Sequence, residues 1–350
     1  MKILVFALLK PSQIAYKIIP LCRSSKVDKV YLIRKAPLKI NSDKIECITL
    51  PWGLRVKPFY WFLTSIYGVW IIKKKNVDLI INYNIFPHGS NAYFASILSG
   101  KPFIFAEINE DTMQYYKKSF LKWFIKIIFS RAIFILVPGL KTQTFWEKAG
   151  FKKMIKLHST IDTNYFRPDY TMPKKYDFLY IGEFDDNKRP DLIIDAFISL
   201  KKEVPDAKMC FIGYGKLQAK LENKIRLSNL SASVEIIRTD NVLTYIQQSK
   251  IFVMASKTEG LPCALFETMA CELIPIVPDV GNIADVVSMR QNGILYDGSL
   301  DALIKEMKEI ITTYSNLSEM RTRARETIIA NHSYSEATKR WNAILLSKII

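Results

Sequence analysis

The chain has 350 residues, 49% apolar and 12% aromatic, and its 50 Lys+Arg against 33 Asp+Glu give a formal net charge of +17. That length suggests about two domains, and the apolar content fills real cores, which excludes a disordered chain or a small scaffold that depends on staples. Five scattered cysteines without a CxxC pair and three histidines without an HxxxH arrangement argue against a disulfide framework, a structural zinc and a zinc hydrolase, and fit a cytoplasmic protein.

The charge is unevenly spread. Residues 1–168 hold 27 Lys+Arg and 9 Asp+Glu, a net of +18, whereas residues 169–350 hold 23 and 24, a net of −1. A coding bias toward lysine would raise both halves equally. The asymmetry points instead to one half that faces a polyanion or an anionic membrane surface.

In chain order, Met1 to Leu9 is a short apolar run that ends in Lys10-Pro11 without a small-residue cleavage site, so it reads as a buried strand rather than a signal sequence. Apolar runs recur at Val30 to Ile33, Leu79 to Asn82, Phe103 to Ala106, Ile133 to Val137 and Met154 to Leu157. Helical stretches separate them at Phe59 to Lys75, Ser90 to Leu98, Phe120 to Phe129 and Thr142 to Ala149. The longest uncharged apolar stretch, Phe59 to Ile72, is 14 residues and falls short of the roughly 20 that span a bilayer. Ser159 to Lys175, polar and holding Pro168 and Pro173, reads as a link. Beyond it, strands are expected at Asp177 to Ile181, Lys208 to Ile212, Ser233 to Ile237, Ile251 to Ala255 and Ile274 to Val277, with helices at about 190–202, 216–228, 241–249 and 263–272.

This alternation specifies an α/β chain of two Rossmann-like, doubly wound domains facing a cleft. The boundaries read as 1–165 for a basic first domain, 166–330 for a second, and 331–350 for a C-terminal helix packing back toward the first. A ligand site is expected at the carboxyl ends of the strands.

The window Glu259 to Glu267, EGLPCALFE, follows the strand IFVMAS. A strand, a Glu-Gly loop and a helix start put free backbone N–H groups and a positive dipole end at the strand's tip, which suits a phosphate. Glu259 and Glu267 can each accept hydrogen bonds from ligand hydroxyls. Two carboxylates beside a phosphate-friendly helix end suit a sugar nucleotide, although an isolated pair of glutamates at this spacing is more often a loop acid and a solvated helix residue.

The stretch EGLPCALFETMACELIPIVPDVGNIADVV resembles the donor-site signature of the retaining family 4 glycosyltransferases, of GT-B fold. Ser159 to Pro168, Tyr180-Ile181-Gly182 through Lys188 with Leu192 to Phe197, Phe211 to Gly215 and Gly293 to Tyr296 resemble further segments of that family in order and spacing. The likeness covers about residues 159–345 well and the first half only in strand order. It implies a hexosyltransferase-type enzyme that needs no metal and no cofactor beyond a UDP- or GDP-linked sugar as donor substrate. On the same resemblance Lys188 holds the donor diphosphate, Glu259 stands near the sugar ring and Glu267 binds the ribose. Gly260 and Leu261 offer backbone N–H groups. Gly182 belongs to the donor loop, Gly213 and Gly215 let a loop approach the nucleotide, and Gly281 does so near the sugar. Lys188 and Glu259 are the implied catalytic pair.

The sequence also departs from that pattern. Glu183 stands where the family carries an arginine; Arg189 either substitutes for it in the cleft or sits solvated on the first turn of the next helix. Lys10 and Ser12 replace a Gly-Gly turn. In the first half, His88 is either a turn-packing residue or an acceptor-side group, and Glu107, Glu110 and Asp111 are acceptor-side candidates of which one can take the acceptor hydroxyl's proton.

Two basic and aromatic stretches remain. In 59–72 the aromatics read as core and the lysines that follow as solvated. In 113–131, Lys118, Lys122 and Lys126 fall on one helical face beside Trp123 and read as a membrane-docking face. The expected function is glycosyl transfer to a lipid-linked or polysaccharide acceptor in cell-envelope glycan synthesis, lipopolysaccharide or capsule, at the inner face of the membrane. A nucleic-acid binder and a sugar-nucleotide epimerase are the alternatives; the first lacks any recognisable nucleic-acid module, so no nucleic-acid partner is expected.

Overall fold

The computed structural model describes the chain except residues 8, 10, 35–41, 52–59, 109–110, 158–159 and 349–350. Two compact units result, one of Met1–Thr160 with Tyr334–Ile350 and one of Ile161–Ser333.

The first unit runs β1 (Lys2–Phe6), α1 (Pro11–Arg23), β2 (Lys29–Arg34), β3 (Ile45–Thr49), α2 (Tyr60–Lys75), β4 (Leu79–Tyr83), a helical turn (Ile85–Gly89) and α3 (Ser90–Ser99). It continues through β5 (Phe103–Ala106), α4 (Asp111–Tyr116), α5 (Ser119–Arg131), β6 (Phe134–Val137), α6 (Leu140–Lys148) and β7 (Met154–Lys156). Its seven strands lie in the order β3-β2-β1-β4-β5-β6-β7, with every pairing parallel. Runs such as Leu-Val-Phe in β1 and Leu-Ile-Ile in β4 are buried on both faces, as a parallel sheet between helix layers requires.

One face packs against α2 to α6 through Ile71, Ile72, Ala92, Ala95, Ile125, Phe129 and Trp146. The other packs against α1 and the last helix, α13 (Tyr334–Lys348), through Ile14, Ile18, Trp341 and Ile344. Among the elements that escape the sequence reading are β3 and α1. β3 is half-buried throughout, so it lacks an apolar run, and α1 carries an internal Pro20.

The second unit comprises β8 (Tyr176–Ile181), α7 (Pro190–Leu200), β9 (Met209–Ile212), α8 (Gln218–Leu227), β10 (Val234–Ile237), α9 (Leu243–Gln247) and β11 (Ser249–Val253). α10 (Cys263–Ala270), β12 (Ile274–Pro278), β13 (Ile294–Tyr296), α11 (Leu300–Thr313) and α12 (Ser318–His332) complete it. Its six parallel strands lie in the order β10-β9-β8-β11-β12-β13. The order reverses between β8 and β11, so the connections leaving these two neighbours diverge and open a crevice at their carboxyl ends.

The aromatics of 59–72 do not behave as expected. Ile71 and Ile72 are core, but Trp61, Phe62, Ile66 and Trp70 are exposed. A helix lying on a sheet buries a single stripe, and this one has apolar residues on its outer face as well. Among the described residues no helix is long and apolar enough to cross a membrane.

Candidate functional site

Lys188 and Glu259 come from the loops that follow β8 and β11, the two strands at the point of order reversal, and their side chains form an ion pair. The Glu259 side chain is only 9% exposed and that of Lys188 27%. The pair is therefore largely withdrawn from water, where a charge interaction is worth more than on an open surface.

The backbone around the pair is tightly specified. Asp185 Oδ1 accepts from the backbone N–H of Asn187 at 3.0 Å and of Lys188 at 2.8 Å, an Asx-type turn that aims Lys188. Asn187 then fastens this loop to the next: its Nδ2 donates to the Thr258 carbonyl at 3.1 Å, and its Oδ1 accepts from Thr258 N at 3.2 Å and Oγ1 at 2.9 Å. The Lys257 N–H donates to the Asn187 carbonyl at 2.8 Å. Neither Asp185 nor Asn187 stands out in the sequence, because their partners are some 70 positions away or backbone atoms.

Glu259 is followed by Gly260, Leu261 and Pro262, and α10 starts at Cys263 with no side chain capping it. Its first-turn N–H groups therefore keep the positive end of the helix dipole available for an anion. Glu267 lies in the same helix and is buried, 8% exposed. At the end of β11 the Ser256 hydroxyl is buried and makes no hydrogen bond. An orphaned buried hydroxyl beside such a loop is unusual and goes unnoticed in the sequence.

The glycines hold loops against one another. Gly281 has φ +62, and a Cβ there would stand 1.8 Å from the Glu259 carbonyl oxygen. A Cβ on Gly213 would meet the Gly182 carbonyl oxygen at 1.9 Å, and one on Gly215 the Phe184 carbonyl oxygen at 2.5 Å. The Tyr180 hydroxyl, beside Gly182, donates to the Glu183 carbonyl at 2.8 Å, and burial raises its pKa. The Glu183 side chain is exposed.

Arg189 is the residue before α7 and is half-buried. It adopts φ +51 at the start of α7, and its Nη1 donates to the Gly298 carbonyl at 3.1 Å, tying the β8 loop to the segment after β13. On the β9 loop the exposed Tyr214 ring lies under the Arg238 guanidinium, 4.5 Å from the ring centroid.

The remaining candidates belong to the first unit. His88 sits in the helical turn Ile85–Gly89 between β4 and α3. Glu107, at the carboxyl end of β5, is buried, and its Oε2 accepts from the Trp146 indole N–H at 2.7 Å. It lines a pocket with Tyr16, Lys17, Tyr83, Thr160 and Trp341. Glu110, Lys10 and the side chains of Asp111 and Ser12 lie outside the described residues. Lys118 precedes α5; Lys122, Trp123 and Lys126 lie within it, and all four are exposed. Among the described residues no group of three His, Cys, Asp or Glu could hold a metal ion.

Residues 163–327 match the family described as glycosyl transferases group 1. An uncharacterised glycosyltransferase of Methanocaldococcus jannaschii is 25% identical over 256 residues, 72% of this chain and 69% of that one. A Campylobacter jejuni relative is 25% identical over 223 residues, 61% of this chain and 60% of its own length, so the chain spans less than two thirds of it. That relative is an N-acetylgalactosaminyltransferase named for a glycan on diphospho-undecaprenol. Among solved structures, Anabaena HepE in complex with UDP superimposes with a TM-score of 0.83 at 15% identity, covering 99% of this chain and 100% of that one. The chain is thus a GT-B-fold protein whose second unit matches the glycosyl transferases group 1 family.

Proposed function

We propose that the protein transfers a hexose-type sugar, with retention, from a UDP- or GDP-linked donor to a lipid-linked or polysaccharide acceptor in cell-envelope glycan synthesis, as a retaining family 4 enzyme. The observation that carries this reading is the Lys188–Glu259 pair at the strand-order reversal, with Glu259 three residues ahead of Pro262, the N-cap of α10, by way of Gly260 and Leu261, and no side chain capping that helix start. Lys188 and that helix start supply positive charge where the departing nucleotide diphosphate gains negative charge, so the reading assigns no metal and no further cofactor. Glu259 accepts from the sugar hydroxyls, Glu267 from the ribose, and Gly260 and Leu261 offer N–H groups to sugar or phosphate. Gly182, Gly213, Gly215 and Gly281 shape the loops that receive the donor, and Arg189 supports them from the side.

In the reaction the bond from the anomeric carbon to the diphosphate oxygen breaks as a bond from the same face to the acceptor oxygen forms. The acceptor's proton leaves to a carboxylate, and Glu107, which accepts from Trp146, is the acceptor-side residue proposed for that role. The Campylobacter relative's name supports a lipid-diphosphate acceptor, and such an acceptor calls for an enzyme working peripherally at the inner face of the membrane.

The test is a panel of UDP, GDP and ADP sugars incubated with purified protein and membrane extract, read by mass detection of the product. Lys188→Ala and Glu259→Ala should each lower turnover about 10²- to 10³-fold. Full activity in both variants would remove the site assignment. Thermal shifts with the same nucleotides identify the base, since a ligand that binds only the folded state raises its melting temperature.

A further inference from the structure

From the outer face of the first unit we infer a membrane-docking surface built jointly by α2, α3 and α5, committed to an anionic bilayer, and broader than the single helix that sequence spacing suggests. It deepens the functional reading above by naming the surface, and it can be tested without donor or acceptor.

All three helices lie on one face of the seven-stranded sheet, with α2 packed along α3 and α3 against α5. Their inward stripes are core, yet their outward residues are large and apolar. Trp61 is 59% exposed, Phe62 66%, Phe120 78% and Trp123 62%, joined by Ile66, Trp70, Phe94, Ile97 and Leu98. Scattered exposed apolar residues are ordinary; this many on three adjoining helices mark an interaction surface.

The charge on the same face selects the partner. None of the three helices contains an Asp or a Glu, while Lys73, Lys74, Lys122, Lys126 and Arg131 lie on them and are exposed; Lys75 is instead ion-paired with Glu46 at 3.1 Å. Lys74 is held over the Trp70 ring, 4.4 Å from its centroid, so its ammonium stands at the aromatic surface. A protein partner of ordinary composition needs no such one-signed collar. Aromatic side chains that enter a headgroup layer, with lysines at phosphate level, suit an anionic leaflet.

The placement is also informative. Helices that return to the next parallel strand start at the carboxyl end of the sheet. The four most exposed aromatics of this face, Trp61 and Phe62 in α2 and Phe120 and Trp123 in α5, fall within the first five residues of their helices. They therefore stand at the same end of the sheet as Glu107, so a docked membrane would present a lipid-anchored acceptor on that side.

The experiment is co-sedimentation of the full chain with phosphatidylcholine vesicles, with and without phosphatidylglycerol. Binding is expected only to the anionic vesicles and should weaken as salt is raised. The double variants Trp61→Ser with Phe62→Ser and Phe120→Ser with Trp123→Ser should each lose about tenfold or more in affinity. Each of Lys73→Ser and Lys74→Ser should lose about fivefold. Leu346→Ser, exposed on α13 across the sheet, is the control and should bind as the parent. Melting temperatures and UDP binding should be unchanged throughout, which separates loss of docking from loss of fold or donor site. No binding to either vesicle, equal binding to both, parental binding by the aromatic variants, or a parent dimer that those variants dissolve would each overturn the inference.

Discussion

Gly281→Ala tests whether the donor-loop geometry rests on backbone contact. Gly281 has φ +62, where a Cβ costs about 1–2 kcal/mol for any L-residue. The same Cβ would sit 1.8 Å from the Glu259 carbonyl oxygen and 3.2 Å from that of Gly260. The Glu259 loop must therefore move by more than an ångström, an overpacking cost of about 1–3 kcal/mol. Gly298 provides the internal control: its φ is +84, but nothing lies within 4 Å of its Cβ position. Gly298→Ala should show only the backbone cost, about 1–2 kcal/mol. At about 3 °C per kcal/mol for a unit of this size, Gly281→Ala should melt about 3–9 °C below Gly298→Ala. It should also bind a nucleotide sugar more weakly, because the displaced loop carries Glu259, the partner of Lys188. The assay is thermal denaturation by circular dichroism with a parallel binding titration. Equal melting temperatures with unchanged binding would refute the contact argument.

Further outcomes follow from other contacts. Trp146→Phe keeps an aromatic ring in the core but removes the N–H that Glu107 Oε2 accepts, and should cost about 1–3 kcal/mol by urea denaturation. Burial raises the thiols of Cys22, Cys210 and Cys271 to about 12, so at pH 8 a thiol reagent should label at most Cys47 and Cys263 in the folded protein, and all five once it is unfolded. Glu235 accepts from Lys175 Nζ at 2.8 Å and Tyr176 Oη at 2.5 Å, and the Lys175 hydrogen bond first, then that of Tyr176, lowers its pKa from 4.5. Its stabilisation is complete above pH 4.5 and lost as pH falls through the lowered value, so Glu235→Gln should flatten the acid limb of a stability-against-pH profile.

Much of the architecture was legible because parallel strands buried on both faces are written as continuous apolar runs, as in Leu79 to Tyr83 and Ile274 to Pro278. The half-buried β3 carries no such run and could not be found that way. The Glu259–Glu267 window was legible for a similar reason: loop, helix start and both acids are contiguous in the chain. Sequence by itself therefore determined the strand rhythm, the polarity of the charge and a donor-type motif, all of which depend on near neighbours. Tertiary structure alone decided that Lys188 pairs with Glu259, that Asn187 fastens one loop to the next, that Arg189 serves Gly298, and that the aromatics of α2 face outward. Each of those depends on which residues the strand order brings together across dozens of positions, and on which stripe of a helix apolar on several sides meets the sheet; local pattern carries neither.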